Sequence, residues 1–417
     1  MLWVLVVSMA ALAYVYAGYP VLVWLLARFC ERPVKKGPRG GGAAVLIAAH
    51  NEAENLPRKL ECLLELAQTE PIREIWLGLD GCTDGTAEQV RETRDQRLQT
   101  RDQRQNGDSR QEIHDSSLQS TVDSLQSPPR IQILEFETRR GKAAVLNDLM
   151  AAATQPIFVM MDARQRVEAG AIPKLLEHFA DPQVGVVSGA LVYESAAGGA
   201  QKGAESYWGY EKFIRACESR FWAVPGATGA LYAIRKELCV PIPENTLVDD
   251  VLIPMRAVLK GFRCLFEPSA RVFDLPTADF VQENLRKRRT LAGIWQIGRL
   301  EPRIYSFFAN PIWFQWISHK FFRLLTPFLV FFSVASLASM ENWRDRTLGL
   351  AGLTFWGMAG LSIASGLAYW SGQRFHSRLL GLLGAFFGVN WALLQAARDA
   401  WTARFEPKWP TGAGVRH

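Results

Sequence analysis

Acidic residues recur in this chain at the ends of apolar runs. Glu52 follows Val45-Leu46-Ile47-Ala48-Ala49, Asp80 closes Ile75-Trp76-Leu77-Gly78-Leu79, Asp162 closes Ile157-Phe158-Val159-Met160-Met161, and Asp249-Asp250 open an amphipathic stretch. In an open α/β sheet ligands bind outside the carboxyl ends of the strands, so acids placed there converge on one crevice. Asp80 at a strand end can accept a hydrogen bond from a base N–H, with Gly81 letting a ligand approach the backbone. Lys142 opens a helical stretch, where an ammonium and unpaired backbone amides together favour phosphate; a solvated lysine at a helix start is the alternative. Asp84-Gly85 is either a ligand contact or a turn with a helix cap. Two adjacent carboxylates, Asp249 and Asp250, repel each other and can raise one pKa, which suits a general base; an N-cap followed by an acidic first turn is the structural alternative. The set reads as an enzyme.

The elements that must hold these side chains follow from hydrophobic period. Short apolar runs at 44–48, 75–79, 131–136, 157–161, 184–192 and 263–267 predict strands, and helical periodicity marks 54–66, 142–153, 172–179, 203–218 and 249–259. Strands alternating with helices imply an α/β fold with a mainly parallel sheet covered on both faces. The segment 91–130 is rich in Gln, Arg, Asp and Ser and almost free of large apolar residues, so a mobile insert is expected there.

The chain's 417 residues are enough for a large catalytic core plus a membrane part. Hydrophobic residues make up 49 % and the longest apolar stretches lie at the two ends. Residues 2–26 carry no charge and precede Arg28, Arg32, Lys35 and Lys36. The run is long enough to span a bilayer core, which takes about 20 residues, and too long for the apolar part of a signal peptide, so an uncleaved anchor is expected. The basic flank then places the downstream domain in the cytoplasm. Residues 324–339, 348–370 and 379–396 are three further candidate spans. Residues 304–317, aromatic-rich with a central Pro311, suit the headgroup region. The net charge of +6 is modest and its clusters, including 286–289, fit phosphate or anionic lipid rather than a nucleic-acid surface. Six cysteines show no CxxC and no metal-ligand spacing, as expected of a reducing compartment.

Taken in order, the motifs resemble the family 2 glycosyltransferases of the GT-A fold, particularly membrane-anchored members that make polysaccharides or glycolipids. The resemblance runs from Ala44 to about Gly293. Ile47-Ala48-Ala49-His50-Asn51-Glu52-Ala53-Glu54-Asn55-Leu56, Asp80-Gly81-Cys82-Thr83-Asp84-Gly85-Thr86 and Arg140-Gly141-Lys142-Ala143-Ala144-Val145-Leu146-Asn147 are similar to its three nucleotide-binding elements. The resemblance implies an inverting transferase. Its donor, a UDP-linked sugar by expectation, contacts Asn51, Glu52, Asp80, Lys142, Asp162, Arg164 and Arg286; Asp250 is the base with Asp249 beside it, and Arg289 holds the leaving diphosphate. Gly226, Thr228 and Gly229 belong to the acceptor-side loop, and Trp295 is the candidate stacking surface because Thr290 stands where the family carries Trp.

The family's metal motif, Asp-x-Asp, reads Asp162-Ala163-Arg164 here. Either Asp162 binds Mg²⁺ or Mn²⁺ with help from Asp274, or Arg164 neutralises phosphate directly. The implied layout is a transmembrane helix and basic flank at 1–36, a cytoplasmic GT-A domain at 37–276 with a disordered insert at 91–130, interfacial helices at 277–319, transmembrane helices at 320–398 and a tail at 399–417. The implied setting is the inner membrane, with a lipid-linked or glycan acceptor and biosynthetic complex partners. A processive polysaccharide synthase and an inactive membrane scaffold are the alternatives.

Overall fold

The computed structural model describes residues 1–38, 41–107, 128–194, 199–274, 280–338, 360, 363–364, 366 and 378–402. They form two compact units, one built from Pro33–Val192 and Gly226–Asp274, the other from Met1–Arg32, Tyr193–Pro225 and the residues beyond Asp274.

The first unit is organised by a sheet whose strands are β1 (Ala43–Ala49), β2 (Ile72–Asp80), β3 (Arg130–Phe136), β4 (Ile157–Met160), β5 (Arg166–Val167), β6 (Val184–Tyr193), β7 (Tyr232–Arg235) and β8 (Arg263–Asp274), in the order β3-β2-β1-β4-β7-β6-β8-β5. Pairing is parallel through β3, β2, β1 and β4, and antiparallel where β7 meets β4 and β6 and where β5 meets β8. The expected sheet is therefore mixed, and its parallel half carries the motifs. β1 is buried at every position, as a strand covered on both faces must be. Its register, Ala49 opposite Leu79 and Leu46 opposite Met160, brings the carboxyl ends of β2, β1 and β4 to one edge.

Helices α1 (Leu56–Leu66), α2 (Thr86–Gly107), α3 (Lys142–Ala152), α4 (Ala171–Leu176) and α5 (Asp249–Leu259) complete this unit. Gly78 of β2 admits α3 closely, since a Cβ there would lie 2.3 Å from Val145 Cγ1. Two strands escape hydrophobic patterning: β5 is too short, and β7 lies within a stretch that reads as loop. The expected irregular insert is corrected at its start, because α2 runs on to Gly107. Its polar surface is tied by charge, with Arg97 3.4 Å from Glu61 of α1 and Arg91 paired to Glu135 of β3. Residues 108–127 lie outside the described residues.

In the second unit Leu2–Phe29 is a continuous helix, the one among the described residues long and apolar enough by itself to cross a membrane. Tyr19, Val23 and Ala27 pack on Ile214 and Cys217 of the helix Gly199–Phe221, while Trp3, Val7, Val21 and Trp24 are exposed. A π turn at Tyr14–Gly18 widens it, and the Tyr210 hydroxyl donates to the Tyr16 carbonyl at 3.0 Å. Trp313–Leu324 and Thr326–Leu337 form a pair bent by 58°, the form of a broken span or a re-entrant loop, where a straight span from 324 is the expectation. Arg288 of the helix Phe280–Leu300 makes a two-pronged ion pair with Asp399 of the helix Arg378–Trp401, at 2.5 Å for both contacts. The expected span 348–370 lies outside the described residues apart from 360, 363–364 and 366. Phe307 and Phe308 are exposed, the latter by 98 %, within the stretch expected at the headgroups.

Candidate active site

Asp80, at the last position of β2, is 1 % exposed, and its two oxygens accept the backbone N–H groups of Arg140 at 2.6 Å and Gly141 at 2.8 Å. It grips the turn that leads into Lys142. Gly81, with φ +60°, makes room for that grip: a Cβ would sit 2.7 Å from the Arg139 nitrogen. His50 Nδ1 lies 2.6 Å from the Asp80 carbonyl oxygen and joins the ends of β1 and β2.

The loops after those strands are clipped together. Asn51 adopts φ +53°, the one positive value outside glycine among the described residues, and its Oδ1 accepts the Thr83 N–H at 2.9 Å. Glu52 N–H donates to Thr86 Oγ1 at 3.0 Å, and Ala53 N–H to Asp84 Oδ2 at 3.1 Å. Asp84 also accepts the Thr86 N–H at 3.1 Å, so it acts as a cap and clip. Desolvation pushes its pKa up, but the hydrogen bonds from Thr86 and Ala53 outweigh it and hold the carboxyl below its usual range. Glu52 shifts the other way, because burial outweighs the hydrogen bond it accepts from Asn55.

At the centre stands Lys142, whose Nζ lies 2.9 Å from Asp162 Oδ1 and 3.3 Å from Asp249 Oδ2. Burial opposes its charge, yet Asp162, Asp249 and Asp250 raise its pKa above the ordinary lysine value. Asp250 is half-buried and accepts the Gly229 N–H on Oδ2 at 3.0 Å, while its carbonyl accepts the Ala227 N–H at 2.8 Å. Desolvation first and the adjacent Asp249 second push its pKa up to about 6, with Lys142 pulling against them. Gly226 has φ +121° and precedes this loop, and Thr228 N–H donates to Ser188 Oγ at 3.0 Å. Ser188, fully buried in β6, is a residue that motif reasoning misses; its one trace is a hydroxyl in an otherwise apolar run.

The metal pair expected at Asp162 and Asp274 does not fit. Asp274 ends β8 with its side chain 1 % exposed, and Oδ2 accepts from Arg164 at 2.6 Å and from Gln165 Nε2 at 3.1 Å. Asp162 shares an oxygen with Lys142. Among the described residues no cluster of three or more His, Cys, Asp or Glu side chains is suited to hold an ion. Lys142 and Arg164 thus supply fixed positive charge beside these acids. Arg286, Arg289 and Trp295 belong to the helical unit, where Arg286 donates to the Tyr193 hydroxyl at 3.0 Å and Trp295 packs edge-on against Phe321 with centroids 6.0 Å apart.

A family model described as glycosyl transferase family 2 matches residues 44–111 and 113–240. Among solved structures, a mannosyltransferase from Pyrobaculum calidifontis in complex with GDP-Man and Mn²⁺ is similar over 96 % of this chain and 99 % of its own, at 20 % identity and a TM-score of 0.66. That likeness shows a shared fold. Glucosyl-3-phosphoglycerate synthase from Mycobacterium tuberculosis, with Mn²⁺, UDP and phosphoglyceric acid, matches at 12 % identity over 62 % of this chain and 78 % of its own, with a TM-score of 0.38. Mannosyl-3-phosphoglycerate synthase from Rubrobacter xylanophilus matches at 12 % over 64 % and 77 %, with a TM-score of 0.39. No curated protein sequence matches the chain.

Proposed function

We propose that this chain is a family 2 glycosyltransferase, the family whose model matches residues 44–111 and 113–240, and that it moves a sugar from a nucleoside-diphosphate donor to a hydroxyl of a lipid-linked or glycan acceptor, inverting the anomeric carbon. The observation that carries the reading is the Lys142 centre, an ammonium between Asp162 and Asp249 and next to Asp250, beside strand ends that form one edge. The donor lies over Asn51, Glu52 and Lys142. Lys142 and Arg164 counter the diphosphate charge, and Asp80 keeps the turn before Lys142 in place. Asp250 takes the proton of the acceptor hydroxyl as its oxygen bonds to the anomeric carbon, and the nucleoside diphosphate departs with the bonding pair from the opposite side. A carboxylate with a pKa near 6 is ionised at neutral pH and remains basic enough for the task. Positioning and preset charge supply most of the acceleration, because no protein nucleophile takes part. Gly226, Thr228 and Gly229 are assigned to the loop that holds Asp250 on the acceptor side.

The membrane setting is supported by Leu2–Phe29, whose apolar side chains are exposed over much of its length, and a cytoplasmic catalytic unit by the basic residues Arg28, Arg32, Lys35 and Lys36. The test is a screen of UDP-, GDP- and TDP-sugars on the purified full chain, with wild type and Asp250→Asn side by side. Wild type turns over at least one donor, and Asp250→Asn loses about 10²- to 10⁴-fold in kcat while still binding nucleotide. Equal turnover by both proteins removes Asp250 as the base. Failure of the wild type with every donor overturns the transfer reading.

A further inference from the structure

Lys59 occupies a position where a lysine is costly. On α1 the buried stripe is Leu56, Lys59, Leu60, Leu63 and Leu66, so an ammonium takes one place of a leucine row and is 4 % exposed. Burying such a charge without partners is strongly unfavourable, and a core-filling role would be served better by leucine or methionine. Its Nζ donates to the backbone carbonyl of Gln165, a residue 106 positions away. Burial pulls its pKa down to about 8, and Asp162 and Asp274 are among the groups that pull it back up.

Gln165 is the last residue of the Asp162-Ala163-Arg164-Gln165 turn. β5 begins one residue later, and its antiparallel register with β8 puts Arg166 opposite Phe273, the neighbour of Asp274. Gln165 Nε2 donates to Asp274 Oδ2 at 3.1 Å, and Arg164 donates to the same oxygen at 2.6 Å. The turn is therefore held at its side by Asp274 and at its backbone by Lys59. We infer that Lys59 is a positioning residue, which through the Gln165 carbonyl fixes the turn that holds Asp162 against Lys142 and presents Arg164 to the diphosphate of the donor. The inference rests on the donor reading above and adds a residue outside all of its motifs.

The test titrates UDP and GDP separately into the detergent-solubilised full chain, as wild type, Lys59→Met, Lys59→Arg and Leu63→Ala, with melting temperatures measured alongside. A hydrogen bond from a charged donor gives about a ten- to hundredfold effect. Lys59→Met, close in volume and unable to donate, binds the nucleoside diphosphate at least about tenfold more weakly. Lys59→Arg recovers most of that loss. Leu63→Ala, a cavity on the same helix, lowers the melting temperature at least as much and leaves the affinity within about threefold of wild type. Unchanged affinity in Lys59→Met, or an equal loss in Leu63→Ala, overturns the positioning role and leaves the donor reading standing. Binding of neither nucleotide by the wild type overturns the donor reading and this inference together.

Discussion

Asp250 meets opposing demands from stability and from chemistry. Its pKa is raised from the usual aspartate value to about 6, so between about pH 4 and 6 the folded chain binds more protons than the unfolded one. Stability therefore falls as pH rises through that window, and at neutral pH the ionised carboxylate is a net cost. Asp250→Asn removes the charge and leaves an oxygen to accept from Gly229, so it raises stability by about 1 kcal/mol, read from denaturant melts, while it removes most of the turnover. In the wild type kcat falls as pH drops below about 6, because the base is then protonated. Asp80, Lys142, Asp162 and Asp250 are all legible in the sequence as candidates, since an acid or a lysine beside an apolar run has few structural reasons to be there. Their division of labour is not. That Asp80 faces two backbone amides, and that Asp274 is matched to Arg164, depends on loops from distant parts of the chain.

Among the elements, the parallel strands are readable because burial on both faces leaves an uninterrupted apolar run, as in β1 and β4. β7 is hidden because four residues next to a glycine-rich loop carry too little period, and α2 because beyond Val90 its sequence is polar and carries no apolar stripe. The turn after β2, which packs against the turn that opens α3, makes a sharper point about length scale. Gly81→Val forces a β-branched residue to φ +60° and drives its Cβ into the Arg139 backbone, so Asp80 loses its grip. The expected outcome is a destabilisation of at least about 2 kcal/mol in urea melts, together with weakened nucleotide binding. The turn after β4 offers a complementary experiment. Arg164→Asp restores an Asp-x-Asp pair and removes the partner of buried Asp274, so Mn²⁺ should raise the melting temperature of the variant by more degrees than that of the wild type. An equal Mn²⁺ response in both proteins would mean that Arg164 does not occupy the metal-clamp position.

At the level of the whole chain, composition foretells a catalytic part and an apolar part, and the described residues do fall into a sheet-based unit and a helical one. The end regions are less legible, because hydropathy gives length and polarity but not the 58° bend at Leu325. The apolar surface of Leu2–Phe29 predicts that the full chain stays with membranes through high salt and alkaline carbonate, assayed by sedimentation and blotting. Release by carbonate would mean that this helix lies on the bilayer instead of crossing it.

The widened turn at Tyr14–Gly18 gives that helix a rotational setting. The Tyr16 carbonyl accepts from Tyr210, while the Tyr14 and Tyr16 hydroxyls lie 2.8 Å from Ser318 and 3.2 Å from Thr326. The segment is consequently keyed like a shaft with a spline, and is no interchangeable leash. A featureless polyleucine stretch of equal length would match its apolarity, yet it would lack the hydroxyl contacts that fix its rotation against its helical neighbours.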